Sequence, residues 1–127
     1  MSCKTALITG AGKGIGKGVA LELAGNGYNL ILHYNSSSAG AEEVAEYARE
    51  KGQKAVLVSG DLSEYSAIES MFRAISINCG TLDLIVNNSG LTICKPLLKI
   101  TPEDLDAVTG VDWRGSFFVT QLGAKFM

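Results

Sequence analysis

KTALITGAGKGIGKGVALELA, residues 4–24, is the stretch whose reading decides the fold. TALIT (5–9) is a short β-type apolar run, and Gly10, Gly12, Gly14 and Gly16 follow at every second position. Ile15, Val19 and Leu23 then recur at i, i+4 spacing, which predicts a helix packing on that stripe. A strand that turns through glycines into a helix aims free backbone N–H groups outward at the positive helix end, a setting that suits a phosphate. The loop lacks the strict G-x-G-x-x-G spacing of the common dinucleotide fingerprint, and no Gly-Lys-Ser/Thr is present to make a Walker loop.

The same alternation runs along the chain. Gly25 and Gly27 stop the first helix, and YNLILHY (28–34) reads as a second strand. Residues 38–51 predict an Ala/Glu-rich helix closed by Gly52, and KAVLVSG (54–60) a third strand. Ser63 is placed to cap the next helix, where Ile68, Met71, Phe72 and Ile75 form an apolar stripe. LDLIVN (82–87) reads as a fourth strand. TPED (101–104) is a helix start, with Thr101 as cap, Pro102 in the first turn and acids facing the dipole. Helical character continues to the last residues, with a break expected near Gly110. Near-continuous apolar strands alternating with helices predict an α/β fold, a Rossmann-type doubly wound parallel sheet over residues 1–127, partial and with strand order 3-2-1-4.

Composition narrows the function. The chain has 127 residues, 46% of them hydrophobic, and a formal charge of -2; mean hydropathy is +0.19 and the pI about 5.3. These values exclude a disordered polymer and offer no basic field, so a nucleic-acid partner is not expected. No apolar run is long enough to span a bilayer, so no membrane role is expected. Cys3, Cys79 and Cys94 are odd in number and show no paired ligand spacing. Thiols of a reducing, cytoplasmic setting are expected, with neither a disulfide framework nor a metal site.

Thr9-Gly10-Ala11-Gly12-Lys13-Gly14-Ile15-Gly16 contains T-G-x-x-x-G-x-G. Asn87-Asn88-Ser89-Gly90 follows the fourth strand and Asp61-Leu62 the third. Together, in this order, these motifs resemble the short-chain dehydrogenase/reductase family, in its classical branch and near its 3-oxoacyl-ACP-reductase-like members. The extended branch, with T-G-x-x-G-x-x-G, and other Rossmann-like users such as sugar-nucleotide epimerases fit the loop less well.

The resemblance implies a dinucleotide site at the C-terminal edge of the sheet. Gly10, Gly12, Gly14, Ile15 and Gly16 would let a pyrophosphate approach the backbone. Asp61 would accept from the adenine amino group beside the Leu62 N–H. Asn88, Ser89 and Gly90 would line the ribose and the passage toward nicotinamide, while Asn87 would tie the fourth strand to its neighbour. Where an NAD site places a carboxylate after the second strand, this chain has His33-Tyr34-Asn35-Ser36-Ser37-Ser38. Asn35 and Ser36 could donate to a 2′-phosphate and Lys13 could supply countercharge, so NADP(H) is preferred over NAD(H). His33 is read as strand packing or a phosphate neighbour.

Catalysis in the family is implied to need Ser, Tyr and a Lys four residues after the Tyr, since a neighbouring ammonium favours phenolate. The one Tyr-x-x-x-Lys here, Tyr47 to Lys51, falls on the helix after the second strand and is read as incidental. The family's trio would lie beyond Met127. Val111-Asp112-Trp113-Arg114-Gly115-Ser116-Phe117 resembles V-N-x-x-G-x-F, with Asp112 at the Asn position, a weakened catalytic candidate because a carboxylate cannot donate. An NADP(H)-dependent oxidoreductase interconverting a ketone and a secondary alcohol, seen as its N-terminal half, is the first expectation. A truncated, non-catalytic nucleotide-binding module is the alternative. Leu91-Thr92-Ile93 suggest a partly apolar substrate pocket, and the apolar 113–127 helix a homo-oligomer contact.

Overall fold

The computed structural model describes residues 3–127. Four parallel strands, β1 (Thr5–Ile8), β2 (Asn29–Tyr34), β3 (Ala55–Ser59) and β4 (Leu84–Val86), form a sheet of order β3-β2-β1-β4. Helices α1 (Gly14–Gly25), α2 (Ala39–Glu50) and α3 (Tyr65–Asn78) make the crossovers. After β4 come a 3₁₀ turn at Leu97–Lys99, α4 (Pro102–Thr109) and α5 (Ser116–Ala124). The sheet is the expected 3-2-1-4 arrangement. Register runs from Thr5↔Asn29 to Ile8↔Leu32 between β1 and β2, and from Ala6↔Leu84 to Ile8↔Val86 between β1 and β4. β2 and β3 pair from Leu30↔Ala55 to Tyr34↔Ser59.

Strand side chains alternate between two faces, and each face is covered, which is why these strands are apolar throughout. Ala6, Ile8, Leu30 and Leu32 pack under α1 and α2 with Ala20, Ala24, Val44 and Ala48. Leu7, Ile31 and Val58 pack under α3 and α5 with Ile68, Met71, Ile75 and Val119. Among the described residues, no helix is long and apolar enough to cross a membrane.

Three local expectations need correction. The buried stripe of α1 is Gly16, Ala20 and Ala24, one position round from Ile15, Val19 and Leu23. Small residues let α1 lie close on the sheet, so the larger side chains flank that contact instead of filling it. Ser63 does not cap α3. Its N–H and hydroxyl both donate to Asp61 Oδ1, at 2.9 and 2.7 Å, and Glu64 stands at the N-cap without a side-chain bond. The chain also does not break at Gly110. Gly110 is helical (φ -60°, ψ -42°), and Gly110–Gly115 widens into a π-helical turn joining α4 to α5. The α4 start is as expected: Thr101 accepts from the Asp104 N–H, and the Asp104 carboxylate accepts from the Thr101 N–H.

Candidate coenzyme site

The C-termini of the four parallel strands lie along one edge of the sheet, and the loops that leave them carry nearly all of the expected site residues. Thr9, the last residue before the glycine turn, is 1% exposed and anchors this edge. Its Oγ1 accepts from the Asn88 and Ser89 N–H groups at 2.9 Å each and donates weakly to the Val86 carbonyl at 3.4 Å. Asn88 Nδ2 donates to the carbonyls of Thr9 and Gly10, at 3.0 and 3.1 Å. The structure therefore gives Asn88 the tie between β4 and β1 that was expected of Asn87. Asn87 Nδ2 instead donates to Thr120 Oγ1 on α5, at 2.9 Å.

The glycines have separate reasons. Gly14 has φ +56°, in the left-handed region, and a Cβ there would meet nothing within 4 Å. Open space thus lies directly against the backbone at the start of α1. A Cβ on Gly16 would fall 2.3 Å from both Asn88 Nδ2 and the Gly10 carbonyl oxygen, so the helix can enter here only without a side chain. Gly12 is packed against the first turn of α2, because a Cβ on Gly40 would strike the Gly12 carbonyl. That contact sets the glycine loop beside the segment Asn35–Ser38, whose Asn35, Ser36 and Ser37 are exposed.

α1 begins with Lys13 at its N-cap, no side-chain cap bond and no acid in its first turn. Its leading N–H groups are left to an outside acceptor at the positive end of the helix dipole. Lys13, Gly14 and Ile15 are exposed around this end, Ile15 to 80%. A bare helix terminus, an open cradle at Gly14 and an exposed ammonium are chemically suited to a pyrophosphate.

On the far side of the edge, Asp61 is exposed and Leu62 buried. Asp61 Oδ1 holds Ser63 in a tight turn, and Arg114 Nη1 donates to the Ser63 carbonyl at 2.9 Å. Gly115 lets the π-helical turn reach this loop, since a Cβ there would lie 2.6 Å from the Leu62 carbonyl oxygen. Asp112, on the same turn, accepts the Leu91 N–H through Oδ1 at 2.8 Å, just past Ser89 and Gly90.

His33 does more than pack the strand: its ring bridges two loops. It is 2% exposed, near the end of β2. Its Nδ1 accepts from the Gly10 N–H at 3.1 Å, and its Nε2 lies 2.8 Å from the Gly60 carbonyl oxygen. The amide can only donate and the carbonyl only accept, so the ring is neutral with its proton on Nε2. Burial pushes its pKa below the usual histidine value, and the bond to Gly60 opposes that.

Tyr47 and Lys51 lie elsewhere. They sit at the C-terminal end of α2, with the Tyr47 hydroxyl 3.8 Å from where a Cβ on Gly25 would be, at the end of α1. Lys51 Nζ rests over the Tyr47 ring, 5.4 Å from its centroid. Both helices run antiparallel to the strands, so this pair is at the opposite edge of the sheet from the glycine loop. A concavity of about 730 Å³, lined by no residue of the glycine loop, lies between Ser63–Glu64 and the α4–α5 surface with Trp113 and Phe117.

The model of the family described as short chain dehydrogenase matches residues 4–127. The chain belongs to that family. It is 41% identical over 118 residues to the hydroxynaphthalene reductase-like protein Arp2 of Metarhizium anisopliae, covering 93% of this chain and 44% of that protein. Against the hydroxynaphthalene reductase arp2 of Aspergillus fumigatus it is 40% identical over 121 residues, with 95% and 44% covered. A short chain dehydrogenase of Burkholderia cenocepacia, solved in complex with NADP, superposes with a TM-score of 0.93 at 29% identity, covering 98% of this chain and 51% of that one. The chain thus spans less than half the length of the curated relatives it matches.

Proposed function

We propose that this chain is the coenzyme-binding part of an NADP(H)-dependent oxidoreductase that interconverts a ketone and a secondary alcohol. The observation that carries the proposal is the uncapped start of α1, with open space at Gly14 and the exposed Lys13 beside the acid-free segment Asn35–Ser38. In this reading Gly10, Gly12, Gly14, Ile15 and Gly16 receive the pyrophosphate, and Lys13, Asn35 and Ser36 the 2′-phosphate. Asp61 and the Leu62 N–H hold the adenine, and Ser89 and Gly90 border the ribose, with Asn88 fixing the loop. The coenzyme, when bound, supplies or accepts a hydride. The reductase names of the relatives and the NADP held by the Burkholderia protein favour this assignment.

Asp112 has a positioning part here: its carboxylate holds the Leu91 N–H and so the segment that borders the nicotinamide end. Leu91 and Ile93 would face an organic carbonyl substrate. Exposed Trp113 (76%) and Phe117 (56%) make the 113–127 helical segment the proposed contact for a second copy of the protein. Free, exposed Cys3 and Cys94 suit a reducing cytoplasm.

Tyr47 and Lys51, at the opposite edge of the sheet, take no part in this site. Fluorescence titration tests the proposal. NADPH is expected to bind about tenfold or more tightly than NADH, as a hydrogen bond to a charged phosphate supplies on the order of 1.5–3 kcal/mol. Lys13→Ala should narrow the gap, and equal affinities in the unmodified chain would refute the NADP(H) preference.

A further inference from the structure

His33 is the chain's only histidine, is buried, and has no part in the hydride chemistry proposed above. Its place in the sheet is specific. β2 lies between β1 and β3, so a side chain near its C-terminal end stands between the two loops that leave those neighbours. The backbone ladder is extended past the strands on both sides: the Ala11 N–H donates to the His33 carbonyl at 2.9 Å, and the Gly60 N–H to the Tyr34 carbonyl at 3.2 Å. The imidazole adds a side-chain bridge across the same gap, Gly10 N–H to Nδ1 and Nε2–H to the Gly60 carbonyl.

We infer that His33 is a positioning residue of the dinucleotide site, whose neutral ring holds the glycine loop in register with the Gly60-Asp61-Leu62 loop and whose protonation releases the glycine loop and weakens coenzyme binding. The inference rests on the coenzyme reading proposed above and adds a pH-sensitive tie to it. One ring touches the loop assigned to the pyrophosphate and the loop assigned to the adenine, so their separation is fixed before any ligand arrives. The two bonds respond differently to a proton. The Gly60 carbonyl accepts from Nε2–H in either charge state. The Gly10 N–H cannot face a protonated Nδ1, because both are donors, and at this burial no solvent is at hand to separate them.

Other charged or titratable groups on the surrounding elements do not compete for this role. Asp61 is bonded to Ser63, Asp112 to the Leu91 N–H and Arg114 to the Ser63 carbonyl. Lys13, Glu64 and Glu42 are exposed, Tyr34 packs on the opposite face of β2 with the Leu30 and Leu32 cluster, and Tyr65 packs edge-on against Phe118. Burial and the Gly60 bond are the two causes of the ring's shift, with no charged neighbour among them.

A single histidine makes the test direct. Long-range proton–nitrogen NMR on the tag-free, nitrogen-15-labelled chain reports one pair of ring nitrogens, read from pH 8 to 5 with and without saturating NADP⁺. The expected result is an Nε2–H ring that titrates below 6.5 in the free chain. NADP⁺ should lower that midpoint by about one pH unit, the reciprocal of about tenfold weaker binding to the protonated chain. The direction is diagnostic, because the negative charge of the ligand acting alone would raise the midpoint. In parallel, His33→Leu should lose about tenfold or more in NADP⁺ affinity at pH 7.5, while His33→Gln, which keeps an acceptor and a donor, should stay within about threefold of the parent. NADP⁺ binding with an unchanged or raised midpoint, or an Nδ1–H ring, overturns the inference alone. Failure of the parent chain to bind NADP⁺ or NAD⁺ at pH 7.5 overturns the coenzyme reading and this inference with it.

Discussion

Replacing Thr9 by Val tests whether the hydroxyl of Thr9 builds the ligand edge of the sheet. The two side chains have nearly the same shape, so packing is kept while Oγ1 is lost. The Asn88 and Ser89 N–H groups, each 2.9 Å from that oxygen, are then left without their acceptor. The Val86 carbonyl still accepts from the Thr9 N–H at 3.1 Å, so it adds little to the cost. Orphaning a buried N–H costs about 1–3 kcal/mol, and two would cost about 2–6. Both residues are half-buried, and water can reach part of the gap, which favours the lower part of that range at about 2–3 kcal/mol. Thr9→Ser is the control: it keeps the oxygen and removes one methyl, at about 1 kcal/mol. Urea unfolding followed by far-UV circular dichroism measures both, at equal slope. A loss for Thr9→Val no larger than for Thr9→Ser would refute the argument that this hydroxyl joins β1 to the segment after β4.

Gly16→Ala puts a Cβ 2.3 Å from a backbone carbonyl, which cannot turn aside as a side chain can. It should cost about 1–3 kcal/mol in denaturant unfolding and weaken NADP⁺ binding about tenfold or more by calorimetry; unchanged values for both would show that the helix start has slack. Acidification should destabilise the chain through His33. Its folded pKa lies below the unfolded value, so between the two the unfolded chain binds more protons, and stability falls as pH drops below 6.5. Midpoints of thermal unfolding from pH 7.5 to 5 should show this fall, reduced in His33→Gln; equal slopes in the two proteins would contradict it.

The fold was legible because its signals were local. Glycine spacing after TALIT, the TPED cap and the apolar strands each name an element without reference to distant residues. What stayed hidden depended on partners far along the chain. Apolar periodicity on α1 could not choose between the Ile15 and Gly16 faces, because only contact with the sheet shows that small residues are needed there. Ser63 carried a cap signal that Asp61 took over two residues earlier, a competition between two local turns. Gly110 reads as a break by residue type, yet glycine adopts helical angles freely when the turn around it is held by Arg114 and Gly115. Asn87 and Asn88 are neighbours pointing to different partners, and only the geometry tells which one reaches β1. For His33 the missing signal was the joint proximity of Gly10 and Gly60, which strand order brings together across β2.

Chemical-shift mapping of the labelled chain with NADP⁺ tests the central claim most directly, because it reports where the ligand sits as well as whether it binds. The largest amide changes are expected at Gly10–Gly16, Asp61–Leu62 and Asn88–Gly90, the loops at the C-terminal edge of the strands. Changes confined to the groove between Ser63–Glu64 and Trp113–Phe118, or none at saturating ligand, would contradict it.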